Sequence, residues 1–232
     1  MTRASSCLLV LGLCAVAPAA FASTVSMELT GVGNGTNYGG VYNSPYDISI
    51  NGAASLLLSC DDFATEIQVG STWTATTENA SAVDGSVKFG SGPFYGGNSL
   101  QTTYSAAAWL VTQLVTPAVM NNPNPYVQTD YSLALWELFN PSLTGPIPFS
   151  GSLDGPDEGV PSVISQAFAA VADGFTGSNV TVYTPDPVDS SQEFLEVAPV
   201  PLPPSAALLL SAMAALGLTR RFARRKPLYG AA

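Results

Sequence analysis

The apolar run at the N-terminus of this 232-residue chain decides which part of it is left to fold. One base, Arg3, precedes an uncharged apolar stretch over residues 7–16, and an A-x-A sequence closes the segment at residues 20–22. A base, a short apolar core and an A-x-A end are typical of a cleaved secretory signal. The pattern therefore predicts a signal peptide over residues 1–22, cut by signal peptidase between Ala22 and Ser23. A first transmembrane anchor is less favoured, because the apolar core is short for a bilayer.

Cleavage at this point also fixes the cysteine content of the exported protein. Two of the three cysteines lie within the signal, and only Cys60 remains. A single thiol cannot form an internal disulfide, so the body must be held together by burial and hydrogen bonds alone. The acids Asp61 and Asp62 follow directly, and their charges raise the pKa of a neighbouring thiol. The sequence predicts that Cys60 is a small buried side chain and not a reactive nucleophile.

The acidic residues are concentrated in the body of the chain, residues 23–197. All 17 lie between Glu28 and Glu196, and the only base in that span is Lys88. A nucleic-acid interface needs clustered Lys or Arg, so this composition excludes nucleic acid as a partner. The chain also contains no histidine, which removes Ser-His and Cys-His dyads and histidine metal ligation.

The C-terminal segment, residues 198–232, combines prolines, an apolar run and a basic cluster, in that order. The prolines hold the backbone extended before the apolar run at 205–219. As a helix this run reaches about 22 Å, against about 30 Å for a hydrocarbon core, and snorkelling arginines make up the difference. The basic residues that follow, over 220–226, are Arg220, Arg221, Arg224, Arg225 and Lys226. Positive charge keeps this end in the cytoplasm and the body outside, which predicts a C-terminal transmembrane helix.

The tail resembles a known family of sorting signals. The residues Val200, Pro201, Leu202 and Pro203, within a motif over 200–204, stand directly before the apolar run and the basic cluster. This order resembles the PEP-CTERM signal of Gram-negative bacteria in its Val-Pro-Leu-Pro variant, although Leu202 stands where the name-giving motif has glutamate. The resemblance implies recognition and cleavage by a membrane-embedded exosortase, then delivery from the inner membrane to the cell surface or an exopolysaccharide matrix. The sortase signal Leu-Pro-x-Thr-Gly fits less well, because residues 205 and 206 are serine and alanine.

Along the body, segments with the residue pattern of strands are followed by segments with the apolar spacing of helices, and then by strands again. Strands are predicted over residues 24–30, 46–50, 56–60, 67–75, 86–89, 179–183 and 193–197. Three helices are predicted between them: about 104–115, then 131–139 with Asp130 as its N-cap, and a third that begins near Pro161 and ends at Gly174. This order predicts an α+β domain, antiparallel and β-rich, with about three helices inserted.

A second resemblance concerns the segments around Cys60 and Trp136. An early cysteine followed by Trp-containing helices is similar to the thioester domains of bacterial surface adhesins, in which a Cys is cross-linked to a Gln four residues before the Trp. Here Ser132 occupies that position, and Gln128 is one helical turn away. The resemblance therefore implies a possible fold and not the thioester chemistry, and ordinary core helices explain the same segments equally well.

Carboxylates offer two further interpretations of the body. Asp61-Asp62 and residues 154–158 are candidate calcium ligands, but neither has the D-x-D-x-D-G spacing, which favours solvated surface turns. Two of the carboxylates acting as acid and base would make a glycoside hydrolase, yet no spacing marks such a pair.

These patterns together predict a non-enzymatic, exported cell-surface or exopolysaccharide-matrix protein of a Gram-negative bacterium. Its expected partners are signal peptidase, an exosortase, the membrane through its C-terminal helix, and exopolysaccharide. No catalytic residue, cofactor or metal is assigned. The alternatives are a secreted polysaccharide hydrolase that uses carboxylates and a calcium-dependent adhesive module.

Overall fold

A computed structural model describes residues 23–33, 37–38, 41–141 and 159–198 of the protein. The strands are β1 (Thr24–Gly31), β2 (Asn37–Tyr38), β3 (Val41–Tyr42), β4 (Tyr46–Ile50), β5 (Leu56–Cys60), β6 (Thr72–Asn79), β7 (Val180–Asp186) and β8 (Phe194–Val197). The helices are α1 (Leu100–Leu114), α2 (Pro117–Met120), α3 (Tyr126–Phe139) and α4 (Val160–Ala172). Six strands close into an antiparallel barrel in the order β1-β4-β5-β8-β7-β6, and β2 pairs with β3 separately.

The barrel interior is filled by alternate residues of its strands. In β1, for example, Met27 and Leu29 are buried while their neighbours in the strand are exposed or half-buried. This period of two is what a sheet with one face toward an apolar core requires. The aromatic rings of Trp73 and Phe194 stack across the interior with centroids 5.7 Å apart. The residues of this core are Met27, Leu29, Tyr46, Ile48, Leu58, Cys60, Trp73, Ala75, Tyr183 and Phe194.

A second core lies between the barrel and the helices. Val182 of β7 and Leu195 of β8 point away from the barrel interior and are completely buried under the helical layer. On α1, the small side chains of residues 106–108 have no exposed surface, which lets this helix approach the strands closely. The wall made by β7 and β8 is therefore apolar on both faces, and it joins the two cores.

The predicted α+β class of the body, antiparallel and β-rich, is confirmed, and most strands lie where the sequence placed them. The strands predicted over 46–50 and 56–60 have the same bounds in the structure. The strand predicted over 67–75 begins later, at Thr72, because a turn with a positive φ at Gly70 precedes it. The helix bounds at Pro161 and Gly174 are also confirmed, since α4 carries Pro161 in its first turn and ends beside Gly174.

Two local predictions were wrong. Residues 86–89 are not a strand but part of a run of turns over residues 83–92, hereafter the turn segment, in which the Gly90 N–H bonds to the Val87 carbonyl. Asp130 does not cap α3, because this helix begins a turn earlier, at Tyr126. The side chain of Asn124 accepts a hydrogen bond from the Tyr126 N–H at 3.1 Å instead.

The predicted signal peptide, sorting motif, membrane helix and basic cluster lie outside the described residues. Among the helices that the structure describes, none combines the length and apolar character needed to span a bilayer.

We expect Gly177→Ala to destabilise the domain. Gly177 precedes β7 with a φ of 76°, and a Cβ there would lie 2.6 Å from the Cβ of Ala108 in α1. Strain at a positive φ alone costs about 1–3 kcal/mol. Urea unfolding should show a loss of at least this size, whereas the control Gly85→Ala, whose Cβ would meet nothing within 4 Å, should leave stability nearly unchanged. Equal midpoints for the two variants would contradict this packing.

Candidate functional site: a buried charged cluster beside a cleft

The strand registers bring two acidic residues together at one end of β5 and β8. Cys60 is paired with Phe194 at the end of the β5–β8 ladder, so the next residue, Asp61, lies opposite Glu193. On the other side of Glu193, the register of β7 and β8 continues to Thr184. Like charges opposite each other in a sheet are unfavourable, so this arrangement needs compensation.

Hydrogen bonds to the Glu193 carboxylate stabilise its charge in this position. Its side chain has no exposed surface, and it accepts from the Tyr104 hydroxyl, from the Thr184 hydroxyl at 2.6 Å and from the Lys88 N–H at 2.9 Å. Burial raises the pKa of the Glu193 carboxyl, and these hydrogen bonds oppose the rise because they stabilise the charged form.

The other carboxyl of the pair, Asp61, has a strongly raised pKa. Burial is the main reason that its pKa lies well above the usual range, and the charges of Glu193 and Asp62 raise it further. The contact between the two carboxyls raises the pKa of Asp61 and lowers that of Glu193, which makes Asp61 the donor when a proton lies between them. The two carboxyls therefore share one proton as a coupled pair.

Asp62 is paired with the one base of the body. The Lys88 Nζ lies 2.6 Å from Asp62 Oδ2, and the two side chains are 8% and 1% exposed. The other carboxylate oxygen, Oδ1, accepts from the N–H groups of Ala64 at 2.9 Å and Thr65 at 3.2 Å. The expectation that Asp61-Asp62 is a solvated surface turn was therefore wrong, because both side chains are buried with distant partners.

Cys60 is buried in the barrel core, as predicted. Burial raises the pKa of its thiol well above the ordinary value, and the charges of Asp62 and Asp61 raise it further. The thiol donates to the Asp62 carbonyl at 3.1 Å. An inert, protonated thiol is what this environment produces.

The segments that resemble thioester domains meet at Ser44, a residue that the sequence analysis did not single out. The Ser44 hydroxyl accepts from the Cys60 N–H at 2.9 Å, and the Ser44 carbonyl accepts from the Gln128 amide at 2.9 Å and from the Ser132 hydroxyl at 3.4 Å. Nearby, the Trp136 indole donates to the Cys60 carbonyl at 3.0 Å. This buried network attaches α3 to the end of β5.

A cleft of about 610 Å³ lies beside the charged cluster. Residues 62–69 line it, together with the aromatic side chains of Tyr42, Tyr46 and Trp136. Only Tyr42 among these three aromatics is well exposed, at 48%. Of the acids that line the cleft, Asp62 and Glu66, the first is already paired with Lys88.

The structure tests few of the other predicted site residues. Ser23, the predicted first residue of the mature chain, is described, and its hydroxyl lies 2.8 Å from that of Thr77 at the edge of the barrel. Residues 154–158, the other candidate calcium ligands, fall within a range that is not described. Across the described part of the chain, no group of three or more acidic, cysteine or histidine side chains is arranged to hold a metal ion.

Comparison with known proteins gives one distant likeness. No protein-family model and no curated protein sequence matches the chain. Among solved structures, it is similar to the N-terminal thioester domain of fibronectin-binding protein SfbI from Streptococcus pyogenes, with 12% sequence identity and a TM-score of 0.44. The alignment covers 78% of this chain and 95% of that one. A likeness at this level assigns neither a fold nor an activity to the chain.

We expect the stability of the wild-type protein to fall as pH rises above the ordinary pKa of an aspartate. In that range native Asp61 holds a proton that the unfolded chain has lost, and this stabilisation disappears as pH approaches the raised native pKa. One such proton changes the free energy of unfolding by about 1.4 kcal/mol per pH unit. Asp61→Asn keeps a donor for Glu193 but cannot titrate, so its stability should depend less steeply on pH.

Urea unfolding at a series of pH values from 5 to 8 would measure this difference, at roughly the slope given above for one proton. Glu66→Gln, which removes an exposed carboxyl, serves as the control and should follow the wild type. Parallel curves for Asp61→Asn and the wild type would contradict the shared proton.

Proposed function

We propose that the chain is an exported cell-surface or exopolysaccharide-matrix protein of a Gram-negative bacterium, without catalytic activity of its own. In this proposal an N-terminal signal directs export. The C-terminal helix then holds the protein in the inner membrane with its body outside, and an exosortase cuts near the proline motif and releases the body to the surface.

The observation that carries the proposal is the segregation of charge between the body and the tail. The single base of the body, Lys88, is buried against Asp62, so it does not offset the acids on the surface. The bases of the tail form one cluster, directly after an apolar run. An acidic exterior favours solubility and weak adhesion to anionic surfaces, while a basic cluster after an apolar run favours retention at a membrane.

The positions of the carboxyls favour this proposal over a hydrolase. A glycosidase needs two carboxyls that flank a substrate in an accessible cleft. The hydrogen-bonded pair, Asp61 and Glu193, is only 1% and 0% exposed, so no sugar can lie between them. In the neighbouring cleft, Asp62 is neutralised by Lys88, which leaves Glu66 without an acidic partner among the residues that line it.

Intact-mass spectrometry of the protein recovered from a Gram-negative host that carries an exosortase tests the proposal. We expect a chain that begins at Ser23 and has lost the segment after the proline motif. The double variant Pro201→Ala, Pro203→Ala should keep its tail and stay with the membrane fraction, because an extended backbone before the apolar run is lost.

Pro117→Ala, an exposed proline of the body, provides the matched control and should be processed like the wild type. Retention of residues 200–232 in all surface-exposed wild-type material would rule out sorting by this tail.

We expect EDTA to leave the melting temperature of the protein unchanged. A ligand that binds only the folded state raises the melting temperature, so removing it would lower that temperature. Asp61 and Asp62 are already occupied by Glu193 and Lys88, which leaves them no free charge for calcium. A lower melting temperature in EDTA, restored by calcium, would favour the calcium-dependent adhesive module instead.

A further inference from the structure

The contact between Lys88 and Asp62 holds an amine and a carboxyl together away from water. Nζ and Oδ2 are 2.6 Å apart, and neither side chain is more than 8% exposed. Separated charges are costly in such surroundings, and transfer of one proton from Nζ to Oδ2 turns the ion pair into a neutral amine and a neutral acid. A neutral amine is a nucleophile, and a neutral carboxyl is its natural acceptor.

The Asp62 carboxyl is held in a suitable orientation for attack. Its Oδ1 accepts two backbone hydrogen bonds, from Ala64 at 2.9 Å and from Thr65 at 3.2 Å. Two fixed donors on one oxygen stabilise the negative charge that develops there when a nucleophile adds to the carbon. Within the described residues, Oδ2 has no hydrogen-bond partner apart from its contact with Lys88. One oxygen is thus anchored, and the other is free to leave.

Lys88 is fixed at both ends of its side chain. Its backbone N–H donates to Glu193 at 2.9 Å, while Nζ donates to the Thr65 hydroxyl at 2.9 Å and to the Ser191 carbonyl. Reacting groups that are already fixed in contact react as if at very high concentration, because little orientational freedom remains to be lost.

A second buried carboxyl lies next to the reacting one in the fold. Asp61 is adjacent to Asp62 in the chain, is 1% exposed and lies opposite Glu193 at the end of the β5–β8 ladder, and burial together with the charges of Glu193 and Asp62 raises its pKa. Such a group can pass a proton to the departing oxygen and recover one from the amine.

We infer that Lys88 and Asp62 condense to form an amide bond between their side chains. Nζ bonds to Cγ of Asp62, and the bond from Cγ to Oδ2 breaks. The two protons that the charged amine loses leave with Oδ2 as one molecule of water, so no oxidant, reductant or further reactant is needed. The bond joins the segment after β5 to the turn segment, and it constrains the unfolded chain as a disulfide would in a body with one cysteine.

Digestion of the unfolded protein with trypsin gives a direct test, because Lys88 is the only Lys or Arg between residues 23 and 219. Trypsin requires a free lysine side chain. The wild-type body, unfolded in urea, should therefore stay in one piece, and its mass should be lower than that of its sequence by one water. The full-length chain is used. The measured masses are compared between chains that begin and end at the same residues, so that a difference of one water does not arise from processing of the termini.

Two variants provide the controls. Lys88→Arg keeps the positive charge, and so the pairing with Asp62, but its guanidinium does not condense; the unfolded variant should be cut after residue 88 and should have its full mass. Asp62→Ala leaves the lysine free and should also be cut there. A wild-type chain that has its full mass and is cut by trypsin after Lys88 would overturn the inference. This outcome depends neither on the folding of the two variants nor on whether the proposed sorting is correct.

Discussion

Glu193 is a buried carboxylate on which separate parts of the fold depend together. It accepts hydrogen bonds from Tyr104 of α1, from Thr184 of β7 and from the Lys88 N–H of the turn segment, and it lies opposite Asp61 at the end of β5. A buried charge that loses its partners costs several kcal/mol, so each donor must be in place for the others to be useful. The helical layer, the barrel and the turn segment therefore meet at a single buried side chain, in addition to the apolar core that they share.

The charged residues of the body fall into two groups with different roles, the buried charged cluster around Glu193 and the exposed acids. Its one base and three of its acids, Asp61, Asp62 and Glu193, are buried, where they organise the structure. The acids that remain exposed, such as Glu66, face solvent without a cation beside them from this part of the chain. Charge in the interior thus specifies the fold, whereas charge on the surface governs how the protein meets its surroundings.

Local patterns were sufficient for most elements of the fold but not for the cluster. The strands at 46–50 and 56–60 and the end of α4 at Gly174 follow from residue period and from Gly and Pro signals, which act over a few residues. The partners of Asp61 and Asp62 are far away in sequence, so nothing near them indicates burial. The run at 86–89 has the composition of a strand, yet Lys88 and Phe89 make unrelated contacts, with Asp62 and with the ring of Phe139. Barrel closure likewise depends on β5 meeting β8, which no short window of sequence records.

The position of β8 gives the body a particular mechanical character. This last strand lies between β5 and β7 and is hydrogen-bonded to both, and the chain leaves it directly toward residues 198–232. Tension applied to the chain end after Ala198 therefore enters the domain through β8. The load then acts along the strand and shears two ladders at once, so the bonds resist together and do not unzip one after another. We expect this barrel to withstand more tension applied at its C-terminal end than a barrel whose last strand lay at a sheet edge and could be peeled away.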